Sequence, residues 1–311
     1  MLHLPLVAAA LLMSESLATS PDRKQRDLTG GGRSAAVARL ALASGSGGAQ
    51  VEKLASKDGT KIAVEKTGRG PALIIVSGAL SYRQLNRDKQ LLAKLGEHFT
   101  VYTYDRRGRG ESTDTQPYAV DREIEDLEAI VKAAGDAAHL YGVSSGAALA
   151  MQAAVKLGPQ RIRKLALYEP PYGQKQQDFD RQKDRVSELI RTGKPGDAAA
   201  FFMADIGTPP PVLKEMKASP AWEGIKKIDF TLAYDYRILG DGTVPREIAK
   251  AISVPTLVMD GENTMPFMHE TADTISKVVP NAQRKTLKGQ THQAKAEVVA
   301  PVLIEFFGKP G

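Results

Sequence analysis

One serine in this chain stands where a serine can become a nucleophile. Gly142-Val143-Ser144-Ser145-Gly146 directly follows a short apolar run and opens an Ala-rich stretch. Between a strand and a helix such a serine sits on a sharp turn, and the small flanking glycines let the backbone pass without clashes. The turn pushes the Ser144 hydroxyl out of the sheet. It also aims the unpaired N–H groups of the helix N-terminus at whatever that hydroxyl attacks. The chemistry this predicts is attack on a carbonyl, with backbone donors holding the oxygen that becomes negative.

A serine nucleophile needs a base, and the chain holds five histidines. His3 lies near the start, His98 and His139 stand at the start of buried strands, and His269 falls on a helical stretch. His292, in Gly289-Gln290-Thr291-His292, lies in a loop between the last predicted strand and the last predicted helix. In parallel sheets reacting groups gather at the carboxyl ends of the strands. His292 is therefore the histidine placed to take the Ser144 proton.

These residues need a frame, and the pattern from Val51 onward supplies one. Segments 51–55 and 61–66 flank Asp58-Gly59, a dipeptide suited to a hairpin turn. A continuous apolar run at 72–76 reads as a strand buried on both faces, and 99–104, 138–143, 164–168, 256–259 and a stretch near 284–287 read as further strands. Helical spacing appears at 83–95, 122–134, 147–157, from Pro266 onward, and at 295–307. Strands alternating with helices predict an α/β fold: a mostly parallel sheet covered on both faces, with the opening hairpin as an antiparallel edge. The alternation stops after Glu169. The next eighty or so residues carry helical stretches at 182–191 and 197–203, a Pro209-Pro210-Pro211 break and the lone tryptophan, Trp222.

Composition narrows the function classes. The chain has 311 residues, 42% hydrophobic and 25% charged, which suits a globular protein. Its net charge of +6 is spread thinly rather than gathered into a basic stripe, so no nucleic-acid partner is expected. Arg106, Arg107 and Arg109 sit beside Asp105 and Glu111 and read as a turn. With no cysteine there is no disulfide, thiolate chemistry or cysteine-based metal site, and no metal or cofactor is expected. The apolar run 4–13 is too short to span a bilayer. Residues 1–50 are Gly/Ser-rich and basic after that run and lack a charged segment before it, so they read as a leader or disordered extension. Cytoplasmic residence follows from that reading, and export if residues 1–18 act as a signal peptide.

From about Val51 to the end, the sequence resembles the α/β-hydrolase superfamily. The resemblance rests on Ser77-Gly78-Ala79-Leu80 after the third strand, Tyr104-Asp105-Arg106-Arg107-Gly108-Arg109-Gly110-Glu111-Ser112 after the fourth, the turn at Ser144, and the late Gly-x-x-His. It implies an oxyanion hole from the backbone N–H groups of Ala79 and Ser145, a structural role for the 105–112 turn, and a helical lid over residues 170–253 on a 51–311 domain. Two positions depart from the family pattern. Ser77 replaces the usual histidine, which leaves the backbone donor intact. Thr264 stands where the usual acid after the seventh strand would fall. Three acids could replace it: Glu169 at the end of the sixth strand, where some relatives carry theirs, and Asp260 and Glu262 after the seventh. Glu169 is favoured for its longer side chain and the Pro170-Pro171 stop behind it.

The leading expectation is a serine hydrolase acting on a small or medium ester or lactone, with Ser144, His292 and Glu169 as catalytic residues. Tyr172, Phe201, Phe202 and Trp222 are candidate pocket walls. The alternatives are a ligand-binding protein that has kept only the fold, motivated by Thr264, and a cofactor-free perhydrolase or C–C hydrolase. A nucleotide-binding reading of Gly108-x-Gly110 fails, because Thr113 occupies the third glycine position.

Overall fold

The fold is that of a computed structural model, which describes residues 51–85 and 88–309; the expectation for residues 1–50 lies outside them. The opening hairpin pairs β1 (Val51–Ala55) with β2 (Lys61–Gly68) around Gly59, whose φ of +87° is the left-handed conformation that a glycine takes without strain. Then follow β3 (Ala72–Val76), α1 (Lys89–Gly96), β4 (Thr100–Tyr104), α2 (Val120–Ala133), β5 (Ala138–Val143), α3 (Ser145–Leu157) and β6 (Ile162–Tyr168). After the interruption come β7 (Thr256–Gly261), α10 (Pro266–Val278), β8 (Ala282–Leu287) and α11 (Ala296–Gly308). The strands form one sheet in the order β1-β2-β4-β3-β5-β6-β7-β8. Pairing is antiparallel for β1/β2 and β2/β4 and parallel from there on.

Alternate residues of each central strand feed opposite cores, which is why β3 reads as an unbroken apolar run. Leu73, Val101, Tyr141 and Leu257 face Leu95 of α1 and Val299, Leu303 and Phe307 of α11. Ile74, Val76, Leu140, Leu165 and Val258 face Ile124, Leu127 and Val131 of α2, Leu149 and Met151 of α3, and Ile275 of α10. Both faces are thus sealed, and the strands' carboxyl ends are left to carry chemistry.

The structure corrects one expectation about a helix. The stretch read as helix from residue 83 starts only at Lys89, where the Asp88 side chain caps the Leu91 N–H at 2.9 Å. Arg83 instead lies in a turn, its N–H donating to Asp105 Oδ1 at 2.7 Å. The triple proline does fall at a break, between a helix ending at Asp205 and one that Pro210 opens, a position where its missing N–H costs nothing. The segment between β6 and β7 forms α4 (Gln176–Thr192), α5 (Asp197–Asp205), α6 (Pro210–Ala218), α7 (Ala221–Ile228), a 3₁₀ turn (Asp229–Thr231), α8 (Leu232–Leu239) and α9 (Arg246–Ala251). No helix among the described residues is long and apolar enough to cross a membrane.

Candidate active site

Ser144 joins β5 to α3 with φ +57°, a left-handed conformation that costs a side-chain-bearing residue energy unless its surroundings enforce it. Here they do. The Ser144 N–H donates to Tyr168 O at 2.9 Å, tying the turn to the end of β6. A Cβ on Gly146 would lie 2.2 Å from Val76 O, and one on Gly142 2.6 Å from Ala147 Cα. A Cβ on Gly78 would lie 2.9 Å from Ser144 Cβ and 3.4 Å from its Oγ. Glycine is therefore obligatory at all three positions, and the loop after β3 lies directly against the serine. Ser145 is the first residue of α3, so its N–H is among those with no intrahelical acceptor.

His292 is held by a loop pinned on several sides. The Tyr168 hydroxyl donates to Thr291 O, the Asn263 N–H to Gln290 O at 2.8 Å, and the Lys295 N–H to Gln290 Oε1 at 2.8 Å. Gly261, ending β7, comes so close that a Cβ there would sit 2.5 Å from Gln290 O. Glu169, directly after β6, is fully buried with φ +48°, its N–H bonded to Met259 O at 3.0 Å. Its Oε2 lies 2.6 Å from His292 Nδ1. The same oxygen accepts from Thr264 Oγ1 at 3.0 Å, while Oε1 accepts from the Gly261 N–H at 2.7 Å.

The structure therefore brings Glu169, of the three candidate acids, to His292. Asp260 is buried and points elsewhere: it bonds His269 Nδ1 and takes both Nη atoms of Arg284, at 2.6 and 2.7 Å. Its carboxyl stays below the usual range because the hydrogen bonds from Arg284 and His269 outweigh the desolvation that would raise it. Glu262 accepts from the Gly289 N–H at 2.8 Å in an exposed loop. Thr264, the departure from the family pattern, donates a hydrogen bond to Glu169.

Ser144, Ser145, Ala79 and His292 line one cavity of about 350 Å³. Its walls come from Pro171, Phe202, Ile206, Leu232, Leu239, Met265, Phe267 and Met268, with a polar margin of Gln174, Asp178, Arg181, Gln182 and Asp205. Of the four aromatics expected as walls, only Phe202 belongs to it. Tyr172 and Trp222 are buried in the core, and Phe201 packs against that core. From the helical segment Pro171, Phe202, Ile206, Leu232, Tyr236 and Leu239 face the cavity, while Met265, Phe267 and Met268 reach it from the start of the helix after β7.

Beneath the cavity lies a buried ionic cluster. Arg106, Arg107 and Arg109, read from sequence as a charged turn, are each no more than 1% exposed. Arg106 pairs with both oxygens of Glu123 at 2.7 Å and with Asp235 Oδ1 at 2.7 Å; Arg109 reaches Asp235 Oδ2 at 2.8 Å. Burial alone would raise the Asp235 carboxyl, but Arg109 and Arg106 beside it hold it below its ordinary value. Asp235, in α8, also lines the cavity and accepts from Ser145 Oγ at 2.8 Å. Sequence reasoning missed Asp235. Its only signal was three arginines in one turn, more positive charge than that turn's own acids could bury.

Residues 73–300 match the sequence model of the alpha/beta hydrolase family. The chain belongs to that family. An alpha/beta hydrolase of known structure from Sphaerobacter thermophilus is 43% identical, covering 82% of this chain and 100% of that one with a TM-score of 0.72. The N-formylmaleamate deformylase of Pseudomonas putida is 36% identical over 107 residues, which is 33% of this chain and 39% of that protein. A thermophilic esterase from Thermogutta terrifontis shares the fold at 22% identity and TM-score 0.64, over 84% of this chain and 98% of that one. In this alpha/beta hydrolase a glutamate stands directly after β6 and a threonine after β7.

Proposed function

We propose that this alpha/beta hydrolase is a serine hydrolase that cleaves a small or medium carboxylic ester or lactone through an acyl-enzyme. The observation that carries the reading is the buried Glu169 carboxylate, 2.6 Å from Nδ1 of a histidine that shares a cavity with Ser144. A carboxylate at Nδ1 fixes the tautomer that leaves Nε2 free to accept a proton, and it stabilises the imidazolium that follows. Ser144 Oγ attacks the substrate carbonyl as His292 takes its proton. The oxyanion is held by the N–H groups of Ser145 and Ala79. Collapse of the tetrahedral intermediate expels the alkoxide, which receives the proton from His292. Water then repeats the sequence, releasing the acid and restoring Ser144. Residues 170–253 act as a lid over a largely apolar cavity, which excludes water and favours an uncharged acyl or alkyl group. The names esterase and deformylase among similar proteins accord with carbonyl hydrolysis.

A fluorophosphonate probe tests the nucleophile: the purified protein should label, and Ser144→Ala should not. Rates on p-nitrophenyl esters of graded chain length and on lactones then set the substrate class, with short and medium acyl chains expected to be fastest. Absence of labelling in folded wild-type protein, or half of wild-type activity remaining in His292→Ala, would overturn the reading.

A further inference from the structure

The proposed oxyanion donors sit on two peptide groups, and both are tied to a single carboxylate from the helical segment. The carbonyl of Gly78 belongs to the same peptide plane as the Ala79 N–H, and in a trans peptide the two point in opposite directions. Arg109 Nη1 donates to Gly78 O at 2.6 Å, and Arg106 Nη1 reaches the preceding carbonyl, Ser77 O, at 3.4 Å. A cation on the carbonyl side fixes that plane and polarises it, making the N–H on the far side a stronger donor. Arg109 is in turn oriented by Asp235: its Nη2 bonds Asp235 Oδ2 at 2.8 Å, while its buried Nε has no partner. The other donor is anchored to the same residue, because Ser145 Oγ bonds Asp235 Oδ1 at 2.8 Å.

Resting on the serine-hydrolase reading above, we propose that Asp235 is a positioning residue: through Arg109 and Ser145 it holds both oxyanion donors in place, so that seating α8 completes the hole. The hydrogen bonds of Asp235 go to Arg106, Arg109 and Ser145 Oγ, not to Ser144 or His292. Its effect is on the transition state, where the oxyanion exists, and not on the binding of a neutral ester.

Asp235→Asn should therefore lower kcat by about 10- to 100-fold with KM changed less than about threefold, less than the loss of a whole donor because both N–H groups remain. Affinity for a boronic acid or trifluoromethyl ketone, which form the tetrahedral anion on serine, should fall in parallel. Arg109→Lys keeps a cation opposite Asp235 but cannot fork to Gly78 O as well, and should give the same kcat-only loss if Asp235→Asn folds poorly. Asp126→Asn is the control. It breaks an equally buried pair with Arg107 in the same turn, at 2.7 Å, away from the Ser77–Ala79 loop. It should lower Tm but leave kcat per folded molecule unchanged. If Asp235→Asn and Arg109→Lys behave like this control, or raise KM alone, the positioning role is wrong while the serine reading stands. If Ser144→Ala still labels and turns over, both fall.

Discussion

Glu169 Oε2 serves two donors, His292 Nδ1 and Thr264 Oγ1, and Oε1 serves a third, the Gly261 N–H. Such a carboxylate is oriented before any charge appears on the histidine. Glu169→Gln keeps the shape but loses the charge and presents an N–H to one of those donors. Acylation of an activated ester, followed by stopped flow, should fall by roughly three to four orders of magnitude. Thr264→Val removes one of the three hydrogen bonds, and a loss of only about three- to tenfold is expected from a single neutral donor. Asp260→Asn should leave acylation per folded molecule near wild type and lower Tm, since the buried Asp260 pairs with Arg284 rather than His292. A crippled Asp260→Asn beside an active Glu169→Gln would reverse the assignment. At this scale much was legible. Ser144 and His292 were candidates by residue type at strand ends, because few side chains can do nucleophilic and proton-transfer work, whereas Glu169 was one of three acids that only its 2.6 Å approach to His292 Nδ1 singles out. Thr264 was readable only as a missing acid, since a hydroxyl donating to a carboxylate has no spacing of its own.

The site depends on where β5, β6 and β7 end and on how closely the connecting loops approach one another. Gly261 shows the tolerance. A methyl there would press on Gln290 O at 2.5 Å and Thr291 O at 2.8 Å, both backbone atoms of the loop that carries His292. Gly261→Ala should therefore cut kcat by about tenfold or more while Tm falls only a few degrees, because the displaced element is a surface loop and misplacement of a base costs rate steeply. Steady-state kinetics beside a melting curve separate the two effects, and an unchanged kcat would mean the loop moves freely. The strands and the helices between them could be read from sequence because each is long enough to show its period. The helices at residues 210–251 could not. Each spans 6–9 residues, and proline or glycine punctuates the segment, so no apolar stripe repeats often enough to register. The start of α1 was misread for a related reason: Arg83 and its neighbours continue the polarity of a helix face, yet Asp105 from a distant turn claims the Arg83 backbone.

Across the whole molecule the candidate site lies at one end of the sheet, while at the other end His139 is buried among Phe99 and Phe307. Desolvation first, and then the nearby Lys164 and Arg163, push its pKa down to about 4. Unfolded, a histidine titrates near 6.5, so between those values the unfolded chain binds more protons than the folded one. The stability due to a neutral His139 is complete above about pH 6.5 and drains away as pH falls towards 4. Tm should drop between pH 7.5 and 5 in the wild type, and His139→Phe should flatten that slope; an unaltered slope would place the acid sensitivity elsewhere. Asp235 has a consequence of another kind, for chimeras. Residues 170–253 join the sheet only at the end of β6 and the start of β7, which invites their exchange between relatives to change substrate range. The body, however, keeps Arg106 and Arg109 with Glu123 as the acid of their cluster, and the second anion arrives with the graft. A donor segment without a carboxylate at the place of Asp235 would leave a buried positive charge unbalanced. Such a transplant should fold only if Arg109 is neutralised with it, and the sequence compatibility of donor and recipient can be screened at those two positions before any gene is made.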